Sequence, residues 1–319
     1  MKEASLMKKC FRNPGIRMLL FLLLTGSAWA EGLAVPTEGG VLILDGRNLT
    51  EIRTLSLGGK ETPRLAVHPS SPVMAGLAGD QLVFWNLPTF TEASKHQDTL
   101  FSGVDSMAFS ADGSTLFLLS PELRAVLNFD LATSKVIGTL PVPGGSPEWM
   151  KVTPDGLLVG QENSVNLLST SPDKGLLAQY SFPDSIVAAV VSQGRIILAR
   201  AGIAGIDSYE LKTGRAIGYV PAAGVIKDMV AGTGGMYALL NGGEVRALSA
   251  DGSQTRWTYP ASGSTFQQIV AGANGSSVFC FDRSAGVLVS LDAVAGQENA
   301  RINLGGVGAA EPVVISDGL

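Results

Sequence analysis

Sulfur, histidine and charge are all scarce in this chain. Among 319 residues there are two cysteines and two histidines, and only 16% of residues are charged. Cys10 lies before the apolar stretch Met18–Leu24, which excludes it as the lipid-bearing cysteine of a lipoprotein. Beyond that stretch Cys280 is alone, so no internal disulfide is available there. Its string, SSVFCFD, reads as an apolar strand, so the thiol is read as buried packing. No C-x-x-C-H is present for covalent haem, and His68 and His96 are too few for a histidine-based zinc site. H-E-x-x-H, G-x-S-x-G and a Ser-His-Asp signature are also missing. The Gly-rich strings at Gly232–Gly235 and Gly305–Gly308 connect strands and open no helix, so they do not cradle phosphate. No cofactor and no metal are expected.

Basic charge is short as well. The formal net charge is −5, and residues 1–30 hold five Lys/Arg against one Glu. The remainder carries 18 basic and 27 acidic residues, a balance of −9. Such a surface lacks the basic face that nucleic acid requires, and it does not dock electrostatically on anionic lipid. Long apolar runs are missing too. The run containing Met18–Leu24 has about 13 residues where a bilayer span needs roughly 20, so no direct membrane span is expected. With Lys2, Lys8, Lys9, Arg12 and Arg17 before it and Ala28-Trp29-Ala30 after it, the segment reads as a secretory signal cleaved after Ala30. That divides the chain into a signal peptide, 1–30, and one domain, 31–319.

What the chain has in quantity is glycine, 39 residues, with no collagen period. That content signals many tight turns. The stretch Val104–Val142 shows what they separate. Four short apolar runs alternate with an ADG turn, a loop at Pro121 and an ATSK turn, which is one four-stranded antiparallel unit. The unit repeats. Runs of one type begin at Val41, Leu82, Val126, Val165, Asp207, Val245 and Val287, spaced by 41, 44, 39, 42, 38 and 42 residues. Seven units near that length predict an all-β, seven-bladed β-propeller with four antiparallel strands per blade. The string FTEASKHQ (Phe90–Gln97) fits least well, as a polar outer strand or a helical turn.

One strand of each unit has an apolar residue at every second position: Leu65/Val67, Met107/Phe109, Met150/Val152, Ala189/Val191, Met229/Ala231, Ile269/Ala271 and Val313/Ile315. This is read as the innermost strand, its apolar register packing blade on blade. The last of them, in EPVVISDGL, has no further strands behind it, whereas LAVPT, VLILD and IRTLSL near residue 31 lack an inner strand. The last blade is therefore expected to close with three N-terminal strands and one C-terminal strand, which removes open sheet edges from the ring.

The strings WMKVTPDGLLVG, SMAFSADGSTLFLL and VLNFDLATSKVIGTLPVPGGSPE resemble YVTN-type repeats, and ALSADGSQTRWTYP resembles a PQQ-type propeller repeat. The resemblance runs from Leu33 to the C-terminus and implies a propeller of the bacterial periplasm. It also implies that Trp257 packs between blades rather than against a quinone. Such propellers include lactonases, dehydrogenase subunits, haem-binding domains and scaffolds, so function does not follow from the repeat.

The second register of the inner strands is where polar chemistry collects. It carries Arg64, Ser106, Trp149, Lys151, Asp228 and Gln268, and neighbouring loop positions add Asp105, Glu148, Lys227, Gln267 and Glu311. Inner strands line a central channel and begin at one mouth, so these residues are expected to ring it. Mixed charge with one aromatic in a concave place suits a small polar ligand. Arg64 is a candidate to hold a carboxylate, and Asp228 or Glu148 to act as a base. The expected function is a binding or scaffold module of an envelope complex, with a periplasmic or membrane-complex protein as partner. The alternative is a lactonase-like or dehydrogenase-subunit-like enzyme.

Overall fold

The computed structural model describes residues 31–319 apart from 59, 172–173, 262, 273–274, 306–311 and 317–319. The signal-peptide reading of residues 1–30 and Glu311 at the mouth lie outside the described residues. Twenty-eight strands form seven four-stranded antiparallel sheets in a ring. The first three strands are β1 (Glu31–Thr37), β2 (Gly40–Asp45) and β3 (Glu51–Ser56). Blade 1 follows with β4 (Arg64–Val67), β5 (Val73–Ala78), β6 (Gln81–Asn86) and β7 (Thr91–Gln97). Blade 2 has β8 (Ser106–Phe109), β9 (Thr115–Ser120), β10 (Ala125–Asp130) and β11 (Lys135–Pro141). Blade 3 has β12 (Trp149–Thr153), β13 (Gly156–Gln161), β14 (Ser164–Leu168) and β15 (Leu176–Ser181). Blade 4 has β16 (Ile186–Ser192), β17 (Arg195–Arg200), β18 (Gly205–Glu210) and β19 (Ala216–Pro221). Blade 5 has β20 (Ile226–Gly232), β21 (Gly235–Leu240), β22 (Val245–Leu248) and β23 (Thr255–Tyr259). Blade 6 has β24 (Gln268–Ala271), β25 (Ser277–Asp282), β26 (Val287–Asp292) and β27 (Glu298–Asn303).

The seventh blade is the composite. Its strand order is β28 (Val313–Ser316), β1, β2, β3. Glu31 pairs with Ser316 and Leu33 with Val314, so the two ends of the chain share one sheet. The ambiguous string at Phe90–Gln97 is resolved as an outer strand over Thr91–Gln97. Phe90 itself sits at φ 52, in the left-handed turn that leads into it.

Four of the seven units turn in the same way between their third and fourth strands. Asp45, Asn86, Asp130 and Asp292 use a carboxylate or amide oxygen to accept backbone N–H groups two or three residues on. Four positions after these residues the chain turns left-handed, at Leu49, Phe90, Ser134 and Gly296. All seven third-to-fourth hairpins then show a register shift. A repeated bulge of this kind adds twist to every blade at the same depth.

The core is divided among the blade interfaces. Phe84 and Leu82 of blade 1 pack with Met107, Phe109 and Phe129 of blade 2. Equivalent apolar clusters join blades 2 and 3, 3 and 4, 4 and 5, 5 and 6, and 6 and 7. Burial of a Leu or Phe in such a place contributes about 1.5–3 kcal/mol, so each interface has substantial cohesion of its own. Among the described residues no helix is long and apolar enough to cross a membrane.

Candidate binding site at the channel

Both faces of the inner strands enter blade packing. Ala66 joins the cluster with blade 2, and Ala188 and Val190 join that with blade 5. The expected polar register therefore reaches the channel at the strand starts, and the strands otherwise present their backbone edges. Those edges carry N–H and C=O groups that need partners.

The mouth residues supply several of them, each reaching to the next blade. Arg64 Nε donates to Asp105 O at 3.0 Å, and its Nη2 lies 3.3 Å from the Asp105 carboxylate. Lys151 Nζ donates to Ala189 O. Lys227 Nζ donates to Phe266 O at 3.2 Å. The Asp228 carboxylate accepts from Met229 N at 2.8 Å and from Ile269 N at 2.9 Å. Inter-blade stitching is thus one role of the residues that the sequence brings to the mouth. Glu148 is exposed on the loop before β12.

Trp149 holds a particular place. It pairs directly with Gly160 across the β12–β13 ladder, and a Cβ at Gly160 would lie 1.8 Å from the indole. The glycine makes room for the ring. Its Nε1 is buried without a hydrogen-bond partner, and the Lys151 ammonium lies 6.0 Å from the ring centroid.

Two open cavity sections meet at Lys151 and Gln268. One, of about 420 Å3, is lined by Arg64, Asp105, Ser106, Lys151, Gln268 and Arg283 together with Leu65, Met107, Met150 and Val313. The other, of about 410 Å3, runs along β12, β16, β20 and β24 and has a wall of Val187, Val190, Val191, Val230 and Ala231. Trp149 and Asp228 line this second section.

Sequence reasoning missed Arg283 and the apolar wall. Arg283 follows β25, in the turn DRSAG, which reads as an ordinary loop. Its Nη2 donates to Gln268 Oε1 at 2.7 Å and its backbone N to Gln267 Oε1 at 2.6 Å. The neighbouring Asp282 fixes that turn. Burial pushes its carboxyl upward, but hydrogen bonds from Ala285 N, Thr265 and Gln267 outweigh this and hold it below the usual range.

The apolar wall owes its shape to irregular pairing. Ile186 pairs with Arg200 and Ala188 with Ala199, which leaves Val187 as an extra residue. Ile226 pairs with Leu240 and Asp228 with Leu239, which leaves Lys227 as another. Among the described residues only β16 and β20 of the inner strands show this shift. Arg200 braces the first bulge through 2.7 Å contacts to Asp184 and Asp207. The bulge leaves Val187 39% exposed within the channel, an apolar side chain facing water in a concave place.

Trp257, the candidate quinone partner, lies away from the residues lining these sections. It reaches from blade 5 to blade 6, donating from Nε1 to Ala293 O at 3.0 Å. His68 is buried, with Nδ1 accepting from Ser70 N and Ser71 N. Among the described residues no three His, Cys, Asp or Glu are grouped to hold a metal.

No protein-family model matches this chain, and no curated protein matches it. Solved structures do. Kluyveromyces lactis Hsv2 superposes with a TM-score of 0.61 at 8% identity, over 76% of this chain and 83% of that one. KlHsv2 with loop 6CD replaced by a Gly-Ser linker gives a TM-score of 0.62 at 9% identity, over 76% and 82%. At such identity the likeness is one of fold, the β-propeller, and carries no activity across.

Proposed function

We propose that this chain is an exported binding module of the bacterial periplasm, in the line of the YVTN-type and PQQ-type repeat propellers, which docks an extended segment of an envelope-complex protein on its rim. Export rests on the basic, apolar and A-x-A pattern of residues 1–30. The observation that carries docking is the outer edge of blades 3 and 4. Outer strands are free edges, and proteins guard them with charge. Here β3, β7, β11, β23 and β27 each bear Lys, Arg or Glu, whereas β15 (LLAQYS) and β19 (AIGYVP) bear none. These two strands, on neighbouring blades, expose Leu176, Leu177, Ile217 and Tyr219, and Ile137 is exposed on the outer strand of blade 2. An uncharged edge with exposed apolar side chains suits strand addition, in which backbone bonds give affinity and side-chain pockets give register.

Binding is preferred to catalysis because Arg64 and Asp228, on which an enzyme would draw, make hydrogen bonds to neighbouring blades, and Glu148 stands in solvent. The test is affinity purification of the tagged protein from its native envelope, with Ile217→Lys and Arg64→Ala alongside. The expected result is one stoichiometric partner that survives Arg64→Ala and is lost with Ile217→Lys, circular dichroism being unchanged. A partner indifferent to Ile217→Lys, or a protein that emerges alone, overturns the reading.

A further inference from the structure

The channel lining shares no residue with the outer strands of the rim. Its two sections differ in chemistry. Among the described residues the first holds three cations, Arg64, Lys151 and Arg283, and one carboxylate, Asp105. This local excess of positive charge sits on a domain whose balance is −9. Guanidinium groups in a concave site match a carboxylate through paired N–H donors. The second section is a wall of valine and alanine, with the Val187 bulge turned into it. Lys151 and Gln268 line both, so the cationic and apolar parts are continuous. Either volume lies in the range of about 300–1,000 Å3 that small-molecule sites occupy.

We propose that the channel binds a small amphipathic carboxylic acid, its head among Arg64, Lys151 and Arg283 and its apolar body along Val187, Val191 and Val230. Three further features fit this ligand. Apolar side chains facing open water in a concavity mark a place that gains by being covered. Bulges gather where a side chain must be re-aimed, and the inner-strand shifts in β16 and β20 fall on this wall. Trp149 lines the section that joins the cationic end and adds an aromatic ring to its wall. Asp105 and Asp228 both line the channel, so a doubly charged head meets more repulsion than a single carboxylate does.

Titration calorimetry with octanoate tests the proposal, with acetate, octanamide and inorganic phosphate as comparison probes. Octanoate is expected to bind at least about tenfold more tightly than acetate or octanamide, because each of these lacks one half of the ligand. Two variants locate the site. Arg283→Met removes a cation from the head, and Val187→Asp places a carboxylate on the wall at an exposed bulge whose side chain makes no structural hydrogen bond. Each is expected to weaken octanoate about tenfold or more with unchanged circular dichroism. Three results overturn the proposal. They are octanoate giving no heat at millimolar concentration, binding no tighter than the three comparison probes, and binding that neither variant disturbs. The purification experiment reads the rim alone, so the two readings stand or fall separately.

Discussion

Trp257 and Tyr237 place two hydrogen bonds on one carbonyl, and this makes blade stitching measurable. Trp257 Nε1 lies 3.0 Å and Tyr237 Oη 3.3 Å from Ala293 O, across the interface of blades 5 and 6. Ala293 is 2% exposed, so water does not readily replace a missing donor. Burial pushes the Tyr237 phenol up, which keeps it protonated and donating. Trp257→Phe keeps an aromatic ring against the left-handed Gly296 and removes one bond. Tyr237→Phe removes the longer one. Each single change costs about 1 kcal/mol, because the carbonyl retains one donor. The double change leaves it buried with neither, and an unsatisfied acceptor costs about 1–3 kcal/mol more. The double variant is therefore expected to lose at least about 1 kcal/mol beyond the sum of the singles. Equilibrium urea unfolding followed by both fluorescence and circular dichroism measures this, coincident curves confirming that one transition is read. A double variant additive to within about 0.3 kcal/mol refutes the shared-carbonyl argument.

Three further outcomes follow from local geometry. Gly160→Ala drives a methyl into the Trp149 ring and is expected to cost about 1–3 kcal/mol, with a changed near-ultraviolet spectrum. Hydrogen bonds from the Ser249 hydroxyl first, then from Ser253, hold the Asp251 carboxyl at about 2 against an ordinary 3.8. The lowered value stabilises the fold above 3.8 and that contribution is lost as pH falls towards 2, so Asp251→Asn should flatten the stability profile across this window. Cys280 is wholly buried and burial pushes its thiol up, so thiol reagents are expected to label it only at the rate of unfolding.

The blade pattern was legible because it is local. Alternation along a strand and turn residues between strands depend on near neighbours, and the strings at the two ends were complementary on their face. Of the apolar register, Leu65, Met107, Met150 and Met229 are buried as its period requires, whereas Val152, Val191 and Ala231, two residues further along their strands, line the channel instead of packing wholly between blades. The channel was legible only in part. Arg64, Lys151, Asp228 and Gln268 do line it, but that the first three bridge to the next blade depends on geometry between units about forty residues apart. The bulges at Val187 and Lys227 are properties of the pairing between two strands, and neither string declares them. Arg283 enters the mouth because of where its turn sits in the ring. LLAQYS and AIGYVP showed their lack of charge throughout, yet exposure makes such strands unguarded edges, and exposure arises from packing.

Site-specific photocrosslinking in intact envelopes tests the rim most directly. A photoreactive residue replaces Leu177 or Ile217 on the uncharged edges, and Glu92 on the charged edge of β7 serves as comparison. The account predicts one discrete adduct from positions 177 and 217 and none from 92. No adduct at 177 and 217, or equal adducts at all three positions, would contradict it.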